Sequence, residues 1–185
     1  MKVYTHFSVL GFSNSYLIGN PGGGDAILVD PGVMDLPLLA LIESNNYYVR
    51  HILITHNHES HVRGGSTLLK IYSAEVYGGA KNLLTPDSHQ VKDGEILDLS
   101  GTEVECIEVP GHSSDSLVFR IGSLFFTGDV LLAGRIGSTP NRYAQALLIH
   151  AIENRLLTCE RGLIFPGHGP PSTIQSERRF NPYLL

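Results

Sequence analysis

One arrangement recurs along this chain and limits what it can fold into: a short apolar strand that ends in a turn carrying a histidine or an aspartate. His56, His58 and His61 follow "HILIT", His112 follows "ECIEVPG", His168 follows "LIFPG", and Asp129 follows "SLFFTG". Strand ends of a sheet collect along one edge, so these six side chains are expected to converge. Neutral imidazole and carboxylate are the usual ligands of zinc and of non-haem iron. The Pro-Gly pairs before His112 and His168 set sharp turns that let the side chain point out of the sheet. His6, His51, His89 and His150 lack this setting and read as structural or surface histidines.

The elements between these turns form two similar halves. Residues 3–10, 15–18 and 26–30 read as consecutive strands, with "GNPGGGD" as a hairpin turn whose glycines supply positive φ. "DLPLLALIESNN" has helical apolar spacing, "RHILIT" is a buried strand, and a helix covers 65–71. In the second half "GEILDL", "TEVECIEVP", "SLVFRIG" and "SLFFTGD" read as strands. Residues 142–157 place Leu147, Leu148, Ala151, Ile152 and Leu156 on one helical stripe. "GLIFPG" is a last strand, and a C-terminal helix starts with Ser172 or Thr173 as N-cap. Strands dominate and helices punctuate each half, which predicts an α/β (α+β) domain of two packed sheets with helices outside.

Composition removes several function classes. With 185 residues, 42% apolar and 17% charged, the chain is expected to form a single globular domain over 1–185. A net charge of -5 and a pI near 5.9 argue against a nucleic-acid partner. No apolar run approaches the ~18 residues of a membrane span, and the N-terminus lacks the pattern of a signal peptide. Cys106 and Cys159 are isolated, form no CxxC and read as small buried hydrophobes, which suits a reducing, cytoplasmic setting.

The stretches "THNHESH", "VPGHSSDS", "FFTGDV" and "FPGHG", in this order, resemble the metallo-β-lactamase superfamily, whose signature is H-x-H-x-D-H followed by a distant His, an Asp and a His. "NSYLI", "ILVDPG" and Gly64-Gly65 also match. The ending "GLIFPGHGPPSTIQSERRFNPYL" and the loop "TGDVLLAGRIG" are similar to those of short glyoxalase II-like hydrolases. The resemblance covers nearly the whole chain. It implies an αββα four-layer sandwich, the metallo-β-lactamase fold, with metal at one sheet edge. It implies His56, His58 and His112 as ligands of a first metal, Asp129 as the bridging carboxylate, and His61 and His168 as ligands of a second.

Ser60 stands where the family carries the second metal's aspartate. Its neighbour Glu59 projects in another direction, and Asp115 reads as a residue tolerating a left-handed backbone. The expectation is one tightly held zinc and a second that is weak or absent, with Ser60 able to hydrogen-bond a water or a ligand histidine. The first site suffices for hydrolysis of a thioester or related acyl substrate, since a bound metal generates hydroxide at neutral pH and acts as a Lewis acid. Asp129 and Ser60 are therefore the candidate catalytic residues. Arg135, Arg142 and Tyr143 lie in or after the loop following Asp129, where they can meet an anionic small-molecule substrate. Their other reading is as solvated loop and helix-start residues. Two alternatives stay open: a mononuclear iron enzyme resembling the persulfide dioxygenases, and a degenerate, non-catalytic metal-binding module.

Overall fold

The computed structural model describes residues 1–185, which pack as two compact units. Unit one comprises 1–91 with 99–101, and unit two comprises 92–98 with 102–185.

Unit one holds a six-stranded sheet in chain order: β1 (Lys2–Ser8), β2 (Ser13–Gly19), β3 (Gly24–Val29), β4 (Tyr47–Ile54), β5 (Glu75–Gly78) and β6 (His89–Gln90). The first three strands are antiparallel, and Gly23 and Gly24 take φ of 87° and 98° in the turn between β2 and β3. From β3 onward the strands run parallel. Parallel neighbours require a crossover, and two of the three here carry helices. The first is α1 (Leu36–Ser44), capped by Asp35, whose Oδ1 accepts from the Leu38 N–H at 2.9 Å. The second carries two single-turn helices, α2 (Glu59–Val62) and α3 (Gly65–Leu68), which are shorter than the helix expected over 65–71. The core packs Leu38 and Ile42 of α1 with Ile52 and Ile54 of β4 and Leu68 of α3.

Unit two holds the second sheet. It introduces β7 (Ile96–Leu99), β8 (Thr102–Glu108), β9 (Leu117–Ile121), β10 (Leu124–Gly128), a small hairpin β11 (Leu131–Leu132) and β12 (Arg135–Ile136), then α4 (Arg142–Arg155), β13 (Leu163–Pro166), β14 (Ser172–Thr173) and α5 (Ile174–Phe180). The sheet order is β14-β13-β10-β9-β8-β7. Asn141 caps α4 and Thr173 caps α5, each accepting from backbone N–H groups of the first turn. The buried stripe of α4 is Leu148, Ala151 and Ile152, with Leu156 at its C-cap. Leu147, placed on that stripe by periodicity, is exposed instead. The strands β5, β6 and β14 and the β11–β12 hairpin escaped the sequence reading, and all but β5 have only two residues. A run that short carries no alternation to read. No helix is long and apolar enough to cross a membrane.

Cys106 is fully buried and its thiol is pushed up to about 12 by loss of solvent, so it stays protonated and inert. Cys159 is half-buried, packed against the apolar cluster of unit two.

His51 shows what burial does to a titrating group. It is 6% exposed, and burial lowers its pKa, partly opposed by the nearby Glu75 and Asp25 carboxylates. A base whose folded pKa lies below its unfolded value of about 6.5 makes the unfolded chain the better proton acceptor. The stability this contributes is present above pH 6.5 and is lost as the pH falls through the folded value. Thermal midpoints of wild type and His51→Gln, measured between pH 7.5 and 5, are expected to show a shallower acid-side decline in the variant.

Candidate metal centre

Unit one carries three histidines of the set, and unit two carries the other two with Asp129. In unit one the parallel pairing of β3 and β4 brings their carboxyl ends to one edge. Asp30 leaves β3 there, and Thr55 and His56 leave β4. The Asp30 N–H donates to the Leu53 carbonyl at 2.9 Å, and φ at Asp30 is 50°. The Asp30 carboxylate is almost fully buried. It accepts from the Thr55 N–H at 2.8 Å, the Thr55 hydroxyl at 2.7 Å and His61 Nδ1 at 2.9 Å.

This arrangement fixes two tautomers. The hydroxyl proton of Thr55 is committed to Asp30, so its oxygen can only accept from His56 Nδ1 at 3.1 Å. His56 and His61 therefore both carry the proton on Nδ1 and the lone pair on Nε2, and one carboxylate sets both. That is the support a ligating histidine receives from its outer hydrogen-bond partner. His58, at the N-cap of α2, completes the group. The rings of His56 and His58 lie 4.5 Å apart and those of His56 and His61 4.2 Å apart. The potential donor atom of His56 is within 4.8 Å of that of His58 and of that of His61.

Ser60 lies inside α2, and its carbonyl accepts from the Ser13 hydroxyl at 2.7 Å. It helps line a hollow of about 210 Å³ with Leu10, Gly11, Glu59 and Arg63. The Glu59 side chain is 81% exposed and pairs with Arg63 one turn on, at 3.8 Å. It is directed to solvent and held by its own helix, so it does not supply an acidic ligand in place of Ser60.

In unit two the same logic operates. β9 is antiparallel to both β8 and β10, and β10 is parallel to β13, so the carboxyl ends of β8, β10 and β13 share one edge. They lead to His112, Asp129 and His168 respectively. The Gly167 N–H donates to the Gly128 carbonyl at 2.7 Å and ties the last two turns together. His112 Nδ1 lies 2.7 Å from the Ser138 carbonyl, an acceptor only, so Nδ1 carries the proton here too. Nε2 of His112 is 3.8 Å and Nε2 of His168 is 3.5 Å from Asp129 Oδ2. Two glycines permit this crowding. A Cβ on Gly137 would sit 1.9 Å from the Asp129 carbonyl oxygen, and one on Gly111, at φ 136°, would sit 2.5 Å from Leu148 Cβ. The left-handed position in that turn is Gly111; Asp115, expected to take one, does not.

Asp129 and His168 open onto a cavity of about 340 Å³, also lined by Arg135, Thr139, Gln145 and Tyr183. Arg142 and Tyr143 stand in the exposed first turn of α4, with Tyr143 89% exposed, and do not line it. The remaining histidines have their own partners: His6 with Asp35 at 2.9 Å, His51 with Ser100 at 2.9 Å, His89 stacked on Tyr77, and His150 with Asn154 at 3.2 Å.

The donor set fits a divalent metal on chemical grounds: imidazoles locked with Nε2 as the basic atom, beside a carboxylate. Sequence reasoning missed Asp30. Its signal was present, since "AILVD" is a buried strand ending in an acid, the same setting that singled out Asp129.

Residues 9–168 match the family model described as the Metallo-beta-lactamase superfamily. The hydroxyacylglutathione hydrolase GloC of Haemophilus influenzae is 31% identical, over 86% of this chain and 87% of that protein. The crystal structure of ETHE1 from Myxococcus xanthus superposes with a TM-score of 0.87 at 26% identity, over 98% of this chain and 84% of that one. A protein solved in a di-iron-bound form, TTHA1623, gives a TM-score of 0.80 at 28% identity, over 98% and 100%. The metallo-β-lactamase fold implied by the motifs is the fold of this chain.

Proposed function

Because this chain belongs to the metallo-beta-lactamase superfamily, we propose that it is a metal-dependent hydrolase of the glyoxalase II-like type, cleaving a thioester or a related acyl bond. The observation that carries this reading is the near end-to-end match with a hydroxyacylglutathione hydrolase of similar length. Other hydrolases of that name align over only 52–63% of their own length.

His56, His58, His112 and Asp129 would hold the metal that catalysis needs, and His61, His168 and a share of Asp129 would offer a weaker second site. When bound, the metal supplies Lewis acidity and a hydroxide at neutral pH. The rest belongs to the chain. Asp30, acting directly on His61 and through Thr55 on His56, keeps both imidazoles in the ligating tautomer. The Ser138 carbonyl does the same for His112. The cavity beside Asp129 and His168 receives the substrate, and Arg135 offers it a positive charge.

Zinc is the metal we favour for hydrolysis. The di-iron-bound relative supports iron as the second reading of the same ligands. Chelated protein reloaded separately with zinc and with iron(II), assayed on hydroxyacylglutathione, simple esters and lactones and for oxygen uptake with a persulfide, separates the readings. Zinc-restored thioester cleavage is expected. Iron-restored oxygen uptake without hydrolysis would replace it with the dioxygenase-like reading. No turnover on any substrate despite bound metal would leave a binding module.

A further inference from the structure

Glu177 is 3% exposed, and no Lys, Arg or His is paired with it. A carboxylate buried without a cation is costly unless hydrogen bonds satisfy it. Here they do, and their origins are informative. One oxygen accepts from the Ser172 hydroxyl; the other accepts from the Gly134 N–H at 3.0 Å and from Asn181 Nδ2 at 2.8 Å. Asn181 is fully buried and passes the tether on, its Oδ1 accepting from the Tyr183 N–H at 3.1 Å. One buried group thus ties together two segments distant in sequence: the tip of the β11–β12 hairpin and the chain end after α5.

Each pinned segment delivers one side chain to the cavity beside Asp129 and His168. The residue after Gly134 is Arg135, and the residue bonded to Asn181 is Tyr183; both line it. The guanidinium of Arg135 enters no ion pair, and the hydroxyl of Tyr183 makes no hydrogen bond within the protein. Arg135 is the only Lys or Arg in that lining, with Thr139 and Gln145 as further hydrogen-bonding groups. A guanidinium presents paired N–H donors that match a carboxylate bidentately, and a phenol adds a third.

We propose that this cavity is a carboxylate subsite, in which Arg135 and Tyr183 recognise one carboxylate of a compact thioester and Glu177 with Asn181 is the positioning pair that sets them. The proposal rests on the hydrolase reading above, and it narrows the substrate to one with a carboxylate close to the scissile bond. Arg135 and Tyr183 are the groups that touch substrate. Glu177 and Asn181 act through them.

The test compares three thioesters: S-succinyl-N-acetylcysteamine, its neutral counterpart S-butyryl-N-acetylcysteamine, and S-butyrylglutathione, which carries its carboxylates on the thiol side. Zinc-loaded wild type is expected to prefer S-succinyl-N-acetylcysteamine over its neutral counterpart at least tenfold in kcat/KM, through KM. A preference for S-butyrylglutathione alone would place the recognised carboxylate far from the scissile bond and overturn the compact-substrate proposal. In Arg135→Gln the ratio of charged to neutral substrate is expected to fall toward one. In Glu177→Gln and Asn181→Ala, with folding checked by circular dichroism, that ratio is expected to fall severalfold. Calorimetric titration with succinate and with butyramide needs no turnover: succinate is expected to bind wild type and to bind Arg135→Gln at least tenfold more weakly, with butyramide weak to both. Succinate binding that depends on Arg135, without any thioester cleavage, would overturn the hydrolase reading and leave the subsite standing. Equal rates on all three thioesters, succinate affinity indifferent to Arg135, or Glu177 and Asn181 variants that lose charged and neutral substrates in equal proportion would overturn the subsite or its positioning pair.

Discussion

Replacing His58 with alanine is expected to strip the protein of tightly held metal and to abolish hydrolysis with it. In the proposed assignment His58 has no substitute in unit one, since His56 already serves the first metal and His61 serves the second. Losing a ligand costs more than the ~10–100-fold in affinity lost with a ligand's hydrogen-bonding partner. His112→Ala is expected to behave in the same way. His61→Ala is expected to leave the tight metal nearly unchanged, because His61 belongs to the proposed second site, which has Ser60 where an acidic ligand would strengthen it. Metal content by elemental analysis after dialysis against a weak chelator reads all three. Stoichiometric metal in His58→Ala would sink the ligand assignment, and equal losses in His61→Ala and His112→Ala would mean the two sites act as one cooperative unit.

The second large effect is expected at Asp30. Asp30→Ala removes the shared acceptor of the Thr55 N–H, the Thr55 hydroxyl and the His61 ring, all of them buried. Each buried donor left unsatisfied costs about 1–3 kcal/mol, so a loss of roughly 3–5 kcal/mol is expected once the site relaxes. In a chain of this length that lowers the thermal midpoint by on the order of 10 °C. Asp30→Asn keeps the shape but turns a donor toward groups that are themselves donors, which scrambles the tautomers of His56 and His61. It is expected to unfold later than Asp30→Ala and still to bind metal ~10–100-fold more weakly than wild type. Calorimetric melting with and without zinc separates the two effects. An Asp30→Asn protein with wild-type zinc affinity would show that the tautomer lock is not what the carboxylate provides.

The histidine set was legible because each member follows an apolar strand, and the parallel pairings β3–β4 and β10–β13 turn that sequence rule into a spatial one. Asp30 obeys the same rule and went unread because a lone Asp-Pro-Gly is also an ordinary turn. The residues lining the cavity were the least legible. Position after Asp129 pointed to Arg135, Arg142 and Tyr143 alike; Arg135 on β12 and Gln145 on α4 line the cavity, while Arg142 and Tyr143 stand exposed in the first turn of α4. Tyr183 reaches that cavity from the far end of the chain through Asn181 and Glu177, a route made of long-range hydrogen bonds with no periodicity to announce it.

The central claim is that the chain holds one metal tightly and a second weakly, with Ser60 as the cause of the difference. Calorimetric titration of chelated protein with zinc tests it most directly, run on wild type and on Ser60→Asp. Wild type is expected to show one tight site and a second that fills only at excess zinc. Ser60→Asp, which restores a carboxylate one residue before His61, is expected to tighten the second site and move metal content from near one toward two per chain. Two equally tight sites in wild type, unimproved by the substitution, or no tight site at all, would contradict the account.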